Sequence, residues 1–345
     1  MVKLTIDERE VTVEEGTTIL NAAKSAGIKI PTLCYHERLN PIGSCRMCVV
    51  EIEGLEHPMT ACTTPVTEGI KVSTNSERLQ RMRRETLKLI LASHPLDCPI
   101  CDKGGECTLQ DMVFEFEIDT SEYRIAEKKQ ESVYATPLIR YWPARCIVCL
   151  RCVAACREIK GLGAIDIVGS GHGAYISPVN KDKCESCGEC IKVCPTGALT
   201  ENLSRNKGRT WMVNRVKTTC AYCGCGCQLE LNVANNTIVG ITTKDDTGTN
   251  KGSLCVKGRF GYEFVGDEER LTKPLIKRDG KFHEATWNEA LNFVAEKLSE
   301  IKKSSGADAI AGLSSARCTN EENYLLQKFM RAVIGTNNID HCARL

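Results

Sequence analysis

Hydrophobic and polar positions alternate at the N-terminus, where Val2, Leu4 and Ile6 are separated by polar residues, and this predicts a strand with one buried face. A turn and a second strand follow, then "TTILNAAKSAG", whose apolar spacing and closing Gly27 predict a helix. Helical spacing returns from about Ser76 to Ala92. Much later, "WNEALNFVAEKLSEIKK" reads as an amphipathic helix, opened by a capping box of Thr286 with Glu289 and closed by Gly306. "DAIAGLSSA" reads as a buried strand. "TNEENYLLQKFMRAVIG" is another amphipathic helix, with Thr319 and Glu322 as capping box and Gly335 at its end. The strand–helix alternation of this last stretch predicts a mainly parallel sheet. No apolar run approaches the length of a membrane span.

Composition changes this picture in one respect above all. The 345 residues are 42% hydrophobic but only 5% aromatic, enough for two or more domains yet poor in large apolar side chains to hold them. The chain enters its first strand with no signal peptide or twin-arginine motif, so a cytosolic location is expected. A formal charge of +1 gives no broad attraction for polyanions, and nucleic acid is not an expected partner. Against this ordinary background stand twenty-two cysteines. In a cytosolic chain they point to metal or redox chemistry rather than disulfides. Nineteen of the twenty-two fall into groups whose spacing suits iron–sulfur sites.

The sharpest group is a repeat. In "CIVCLRCVAACRE" and "CESCGECIKVCPTG", Cys146, Cys149, Cys152 and Cys156 repeat the spacing of Cys184, Cys187, Cys190 and Cys194, the run of bacterial ferredoxins. Three close thiolates hold three corners of a cubane, and the helix after each loop carries the fourth cysteine to the other cluster. Cys194 is therefore expected with Cys146, Cys149 and Cys152, and Cys156 with Cys184, Cys187 and Cys190. Pro195 matches the ferredoxin pattern; Arg157 departs from it. Zinc is the plain alternative for paired cysteines, but eight in this register favour iron.

Cys34, Cys45, Cys48 and Cys62 follow the plant-type 2Fe–2S order, although ten residues separate the first two where that pattern has four. The strands and helix before them suit a β-grasp ferredoxin, with structural zinc as the alternative. In "SHPLDCPICDKGGECTLQ", His94 ends a helix four residues before Cys98, Cys101 and Cys107, a triplet lacking a fourth thiolate. His94 is expected to ligate a 4Fe–4S cluster there, and a neutral ring in place of a thiolate raises its potential. Finally, "CAYCGCGC" and "GSLCVKGRFG" supply Cys220, Cys223, Cys227 and Cys255, with Cys225 a spare that could replace a neighbour. Cys318 and Cys342 stand alone and read as plain buried residues. With oxidised clusters in all these sites the formal charge falls to roughly −8, and the first 260 residues are expected to fold around their clusters.

At this point the residues resemble a family. The order of a 2Fe–2S module, a His-plus-three-Cys segment, tandem cubanes and "CAYCGCGC … LCVKGR" resembles the catalytic α-subunit of cytosolic molybdenum- or tungsten-dependent formate dehydrogenases, along the whole chain. The first modules also occur in the large electron-transfer subunit of complex I and in iron-only hydrogenases. The resemblance implies an α+β multi-domain iron–sulfur protein: residues 1–78 a 2Fe–2S β-grasp domain, 79–118 the His–Cys segment, 119–138 a linker, 139–210 the tandem 4Fe–4S domain, 213–270 the 4Fe–4S domain of molybdopterin oxidoreductases, and 271–345 the beginning of a pterin-binding α/β domain. It also implies that Lys257 helps electrons cross between the last cluster and a pterin, and that Arg259 contacts a pterin phosphate.

The reaction so implied is interconversion of formate and carbon dioxide at molybdenum or tungsten held by two pterin guanine dinucleotides. Electrons would leave through one 2Fe–2S and four 4Fe–4S clusters to a flavin subunit serving NAD or NADP, to a ferredoxin or to a hydrogenase. A complex I-like or hydrogenase-linked conduit without pterin chemistry, and a pterin oxidoreductase acting on another substrate such as nitrate, are the alternatives. In the family the residue after a "DHCARL"-like stretch is the metal ligand, cysteine or selenocysteine, followed by histidine. The expectation is thus a selenocysteine codon directly after Leu345, with the pterin domain continuing beyond it.

Overall fold

The alternation at Val2, Leu4 and Ile6 becomes strand β1 (Val2–Ile6), which turns through Asp7 and Glu8, both at positive φ, into antiparallel β2 (Arg9–Val13). The structure, a computed structural model, describes residues 1–119, 122–123, 133–203 and 208–341. Cys342, the rest of the chain end and much of the expected 119–138 linker lie outside the described residues. The chain divides into two units, Met1–Asn214 and Arg215–Leu345.

In the first unit β1 also pairs in parallel with β5 (Lys71–Ser73), which is antiparallel to β3 (Val49–Ile52), itself paired with β4 (Met59–Thr60). The order β2-β1-β5-β3-β4, with helix α1 (Ile19–Ser25) laid across it, is the β-grasp arrangement. The Thr18 hydroxyl caps α1 by accepting from Asn21 N at 3.3 Å. Ile19, Leu20, Ala22 and Ala23 then meet Leu4, Ile6, Val50 and Val72 in one core. Each large aliphatic side chain so buried contributes about 1.5–3 kcal/mol.

Helix α2 (Glu77–Leu91) has the bounds that its pattern predicts, with Ser76 as N-cap and Ala92 as C-cap. Ser76 accepts from Leu79 N at 3.2 Å, a cap worth about 1 kcal/mol. Its buried face, Leu79, Arg83 and Leu87, looks toward the cysteine loop of the first sheet. Leu87 joins Leu33, Met47, Leu109, Met112 and Phe116 in a second core that includes helix α3 (Thr108–Glu115). The tandem-cysteine region is built from a sheet ordered β10-β7-β6 (Leu199–Glu201, Ile139–Tyr141, Val133–Thr136), the short helices α4 (Arg151–Ala154) and α5 (Glu189–Lys192), and the hairpin β8–β9 (Ile165–Val168, Tyr175–Pro178).

The second unit begins with a sheet ordered β11-β12-β13 (Asn214–Thr219, Gln228–Ala234, Thr237–Thr242), followed by α6 (Val256–Phe260). Residues 271–341 correct the sequence reading in three places. A hairpin, β14–β15 (Leu275–Arg278, Lys281–Glu284), precedes α7 (Trp287–Ser305). The strand expected over "DAIAGLSSA" shrinks to β16 (Gly312–Ser314) and is buried on one side only: Ile310 and Gly312 are buried while Leu313 is 82% exposed. The final helix is α-helical only as α8 (Asn320–Lys328) and then widens into a π-helix over Phe329–Ile334, stopped by Gly335 at φ 90°. Both capping boxes form, at Thr286 with Glu289 and at Thr319 with Glu322. β16 pairs in parallel with β17 (Ile339–His341), as the strand–helix alternation predicts. Among the described residues no helix is long and apolar enough to cross a membrane.

Candidate iron–sulfur sites

The N-terminal cysteines are gathered where β3 leaves its loop. Cys34, Cys48 and Cys62 are buried and Cys45 half-buried. Cys48 Sγ lies 3.4 Å from Cys62 Sγ, and Cys45 N donates to Cys34 Sγ at 3.4 Å. Sharing protons in pairs drives the thiols apart in acidity: Cys34 and Cys48 are pushed up, Cys45 and Cys62 down, first through thiol–thiol hydrogen bonds of Cys34 with Cys45 and of Cys48 with Cys62. Arg83 secures the loop from behind. Its guanidinium is buried and donates to Met47 O at 3.1 Å and Val49 O at 2.8 Å.

His94 sits two residues past the α2 C-cap. Burial holds its imidazole down to about 4, so at neutral pH it carries no charge, the form that ligates metal. Its Nδ1 is buried without a hydrogen-bond partner. Such an orphan is costly, and an iron ion would satisfy it. Cys101 and Cys107 are buried with it, their thiols raised by desolvation, while Cys98 is half-buried. Gly105, at φ 87°, lets this loop close, and a Cβ there would strike Trp211.

The tandem repeat is also a repeat of backbone conformation. Val148 and Ser186 both have φ 51°, and Leu150 at φ 64° matches Gly188 at φ 71°. Positive φ is unusual for a β-branched residue such as Val148, and it wraps each loop so that its thiols point one way. Cys146, Cys149, Cys152 and Cys194 together line a cavity of about 10 Å³ of water-accessible space closed by Tyr141, Ile176 and Leu199. The thiols of Cys187, Cys184, Cys156 and Cys194 all act on Cys190. Cys194 thus lies beside the three thiols of the first motif, and Cys156 and Cys194 both lie near the second. Burial pushes Cys149 up to about 12 and raises Cys152 and Cys190, so a bound metal must take over the protons' place. Val148 N donates to Cys146 Sγ at 3.4 Å, and Ala164 N to Cys156 Sγ at 3.2 Å. The departure at Arg157 is accommodated by a π-helical turn, Ala155–Ile159, and an ion pair with Asp166.

Three segments interlock in this unit. Cys107 Sγ lies 3.6 Å from Pro195 O, and Thr108 N donates to the same carbonyl at 3.1 Å. Gly197 presses on Cys101 so closely that a Cβ would stand 2.3 Å from its sulfur. From the N-terminal loop, Arg38 pairs with Glu189 at 3.0 Å, and Asn40 N donates to Glu158 at 2.8 Å. Glu189, between Cys187 and Cys190, is 1% exposed. The sequence reading missed these contacts; a glutamate inside a cysteine motif was the available signal. Among the described residues no three His, Cys, Asp or Glu side chains converge on one ion-sized point; the 146–194 set surrounds a space instead.

In the second unit, Cys220 N donates to Cys227 O at 2.8 Å, and the thiols of Cys220, Cys223, Cys225 and Cys255 all act on Cys227. Cys223, Cys225 and Cys255 are exposed. Cys255 caps α6, which carries exposed Lys257 and buried Arg259. Cys318 is exposed, which overturns its expected burial; Cys342 lies outside the described residues. A cavity of about 600 Å³ opens at the C-terminal ends of β16 and β17, lined by Ser314, Ser315, Asn323, Gln327, Asp340 and His341. That is where parallel α/β sheets receive ligands.

Five family descriptions match successive stretches: a 2Fe–2S iron–sulfur cluster binding domain over 1–77, the NADH-ubiquinone oxidoreductase-G iron–sulfur binding region over 83–122, the ferredoxin-like domain of NADH-quinone oxidoreductase subunit 3 over 136–200, the molybdopterin oxidoreductase Fe4S4 domain over 213–267, and molybdopterin oxidoreductase over 270–345. The NADPH-Fe(3+) oxidoreductase subunit alpha of Geobacter sulfurreducens is 46% identical over 100% of this chain and 40% of its own length. A Staphylococcus aureus protein provisionally named a formate dehydrogenase is 34% identical over 99% of this chain and 39% of its own. The crystal structure of an NAD+-reducing NiFe-hydrogenase in the H2-reduced state superposes with a TM-score of 0.56 at 30% identity, covering 60% of this chain and 90% of that one. The chain spans about 40% of the length of the curated relatives it matches.

Proposed function

From the premise that this chain belongs to the iron–sulfur oxidoreductases that join NADH-ubiquinone oxidoreductase-type cluster modules to a molybdopterin oxidoreductase domain, we propose that it is the cluster-bearing part of a formate dehydrogenase exchanging electrons with a nicotinamide-linked flavin subunit. A ferredoxin or hydrogenase partner is served by the same arrangement. When bound, the clusters supply one-electron relay, and a pterin-held molybdenum or tungsten supplies the two-electron exchange that turns formate into carbon dioxide, a proton and two electrons.

The chain's own residues do the rest. Cys34, Cys45, Cys48 and Cys62 hold a 2Fe–2S cluster. His94 with Cys98, Cys101 and Cys107, the two crossed tandem sets, and Cys220, Cys223, Cys227 and Cys255 hold the 4Fe–4S clusters. Lys257, beside the last cysteine on α6, bridges toward the pterin, and Arg259 steadies its phosphate end. The β16–β17 cavity receives part of the dinucleotide. The observation that carries the relay reading is the direct packing of Cys101 on Gly197 and of Cys107 on Pro195, which sets thiols of the His94 segment against the turn that follows Cys194. A cytoplasmic location belongs to the same proposal, since nicotinamide- and ferredoxin-linked partners of this kind work there.

The test is metal analysis of the natural complex together with dye reduction. Molybdenum or tungsten with formate-dependent viologen reduction supports the proposal. Iron alone, with NAD(P)H-dependent but no formate-dependent reduction, favours an electron conduit without pterin chemistry. That second reading draws on the 46% identity to an NADPH-linked oxidoreductase subunit.

A further inference from the structure

Between the His94 site and the first tandem site lies a charge pair that neither set of ligands uses. Arg145 immediately precedes Cys146, yet its side chain turns away from that loop into the segment carrying His94 and Cys98. The residue is 3% exposed. Nε donates to the two carboxylate oxygens of Asp97 at 3.2 and 3.0 Å, and the ion pair is completed through Nη2. The guanidinium also stands 4.5 Å from the centre of the Trp142 ring.

The same residue reaches the far end of the tandem motif. The Arg145 carbonyl accepts from Thr196 Oγ1 at 3.0 Å, and that hydroxyl lies 3.9 Å from Cys194 Sγ. A Cβ at Gly197 would stand 3.6 Å from Arg145 Cδ and on top of Cys101 Sγ. One arginine therefore touches segments that carry thiols of two sites, Cys98 and Cys101 on one side, Cys146 and Cys194 on the other.

Burying a guanidinium and a carboxylate costs desolvation that apolar residues of similar volume would avoid. The pair supplies what apolar residues cannot, two fixed charges of opposite sign where water screens little. Charges near a cluster set its reduction potential. We propose that Arg145 and Asp97 set the potential step between the cluster held by His94, Cys98, Cys101 and Cys107 and the cluster held by Cys146, Cys149, Cys152 and Cys194. The arginine raises both potentials, and the aspartate lowers them. Asp97 lies between His94 and Cys98 in the chain, so its effect falls mainly on the first cluster. The inference rests on the reading above that these residues bind iron–sulfur clusters.

The test is an anaerobic redox titration followed by EPR, with iron and sulfide counted, on the full-length protein with its natural partners. Arg145→Gln is expected to lower the midpoint of both clusters, changing the reduced-to-oxidised ratio at fixed potential about tenfold, or about 59 mV for one electron. Asp97→Asn is expected to raise the midpoint of the His94 cluster, and Arg145→Lys to stay near the wild type. The remaining clusters should not move. Unchanged midpoints with full iron content would overturn the proposal, as would Arg145→Gln and Asp97→Asn shifting in the same direction. Should Arg145→Gln fail to assemble, Asp97→Asn decides alone by rising or not rising. A wild-type protein lacking either cluster signal would instead overturn the cluster reading itself, which separates the two failures.

Discussion

The cysteine sites of the first unit and the one site of the second use the same local grammar but end in different surroundings. Cys34, Cys48, Cys62, Cys101, Cys107, Cys149 and Cys152 are buried, whereas Cys223, Cys225 and Cys255 are exposed. Helices show the same contrast. α2 and α7 are both amphipathic and both side-chain capped, yet α2 buries Leu79, Arg83 and Leu87, whereas within this chain α7 packs only the half-buried Leu298 against Ile310, Met330 and Ile334 and leaves Leu291 and Val294 exposed. Enclosure is thus not a property of a cysteine motif. It comes from distant segments: Arg83 from α2, Glu189 from α5, the turn after Cys194.

The largest expected difference is in cluster survival. In the 345-residue chain by itself, under mild oxidation or chelation, iron should leave the Cys220–Cys255 site about tenfold faster than the enclosed sites, because exposed thiolates oxidise first. Mössbauer spectra taken during the treatment would show this, and uniform loss from every site would break the comparison. Next in size is Arg83→Ala. It strips hydrogen bonds from two buried carbonyls and opens a cavity, and should cost about 3 kcal/mol in urea unfolding followed through the 2Fe–2S visible signal. A smaller, opposite effect is expected for Leu150→Gly, which gives the first tandem motif the residue that the second has at Gly188. Relief of the left-handed conformation should stabilise by up to about 1 kcal/mol, read as a rise in Tm. The smallest belongs to the second unit. Lys302 donates to Val333 O at 2.9 Å from an exposed position, so Lys302→Ala should change stability by under about 0.5 kcal/mol.

How much of this was legible in the sequence depended on chain separation. α2 was readable to its caps because Ser76, the apolar spacing and the helix end all lie within one stretch. The matched backbone of the two tandem loops was readable because the sequence repeat carries its own geometry. The β14–β15 hairpin carried a strong signal that went unread: Asp279 and Gly280, both at positive φ, form the turn. The short, half-buried β16 could not be read, since a local run of small apolar residues does not state which neighbours will cover it. Arg145 with Asp97, and Arg38 with Glu189, join positions 48 and 151 residues apart, and no local pattern announces such pairs.

The contact between Gly197 and Cys101 bears on how such proteins can be recombined. Sequence descriptions place a boundary between 122 and 136 and treat the stretches on either side as separate modules. The glycine couples the two stretches across that boundary. A His–Cys segment grafted onto another tandem ferredoxin meets a side chain where this chain has a hydrogen atom, and the sulfur of Cys101 must move. Chimeras joined within residues 123–135 should therefore hold less iron unless the new partner brings its own glycine.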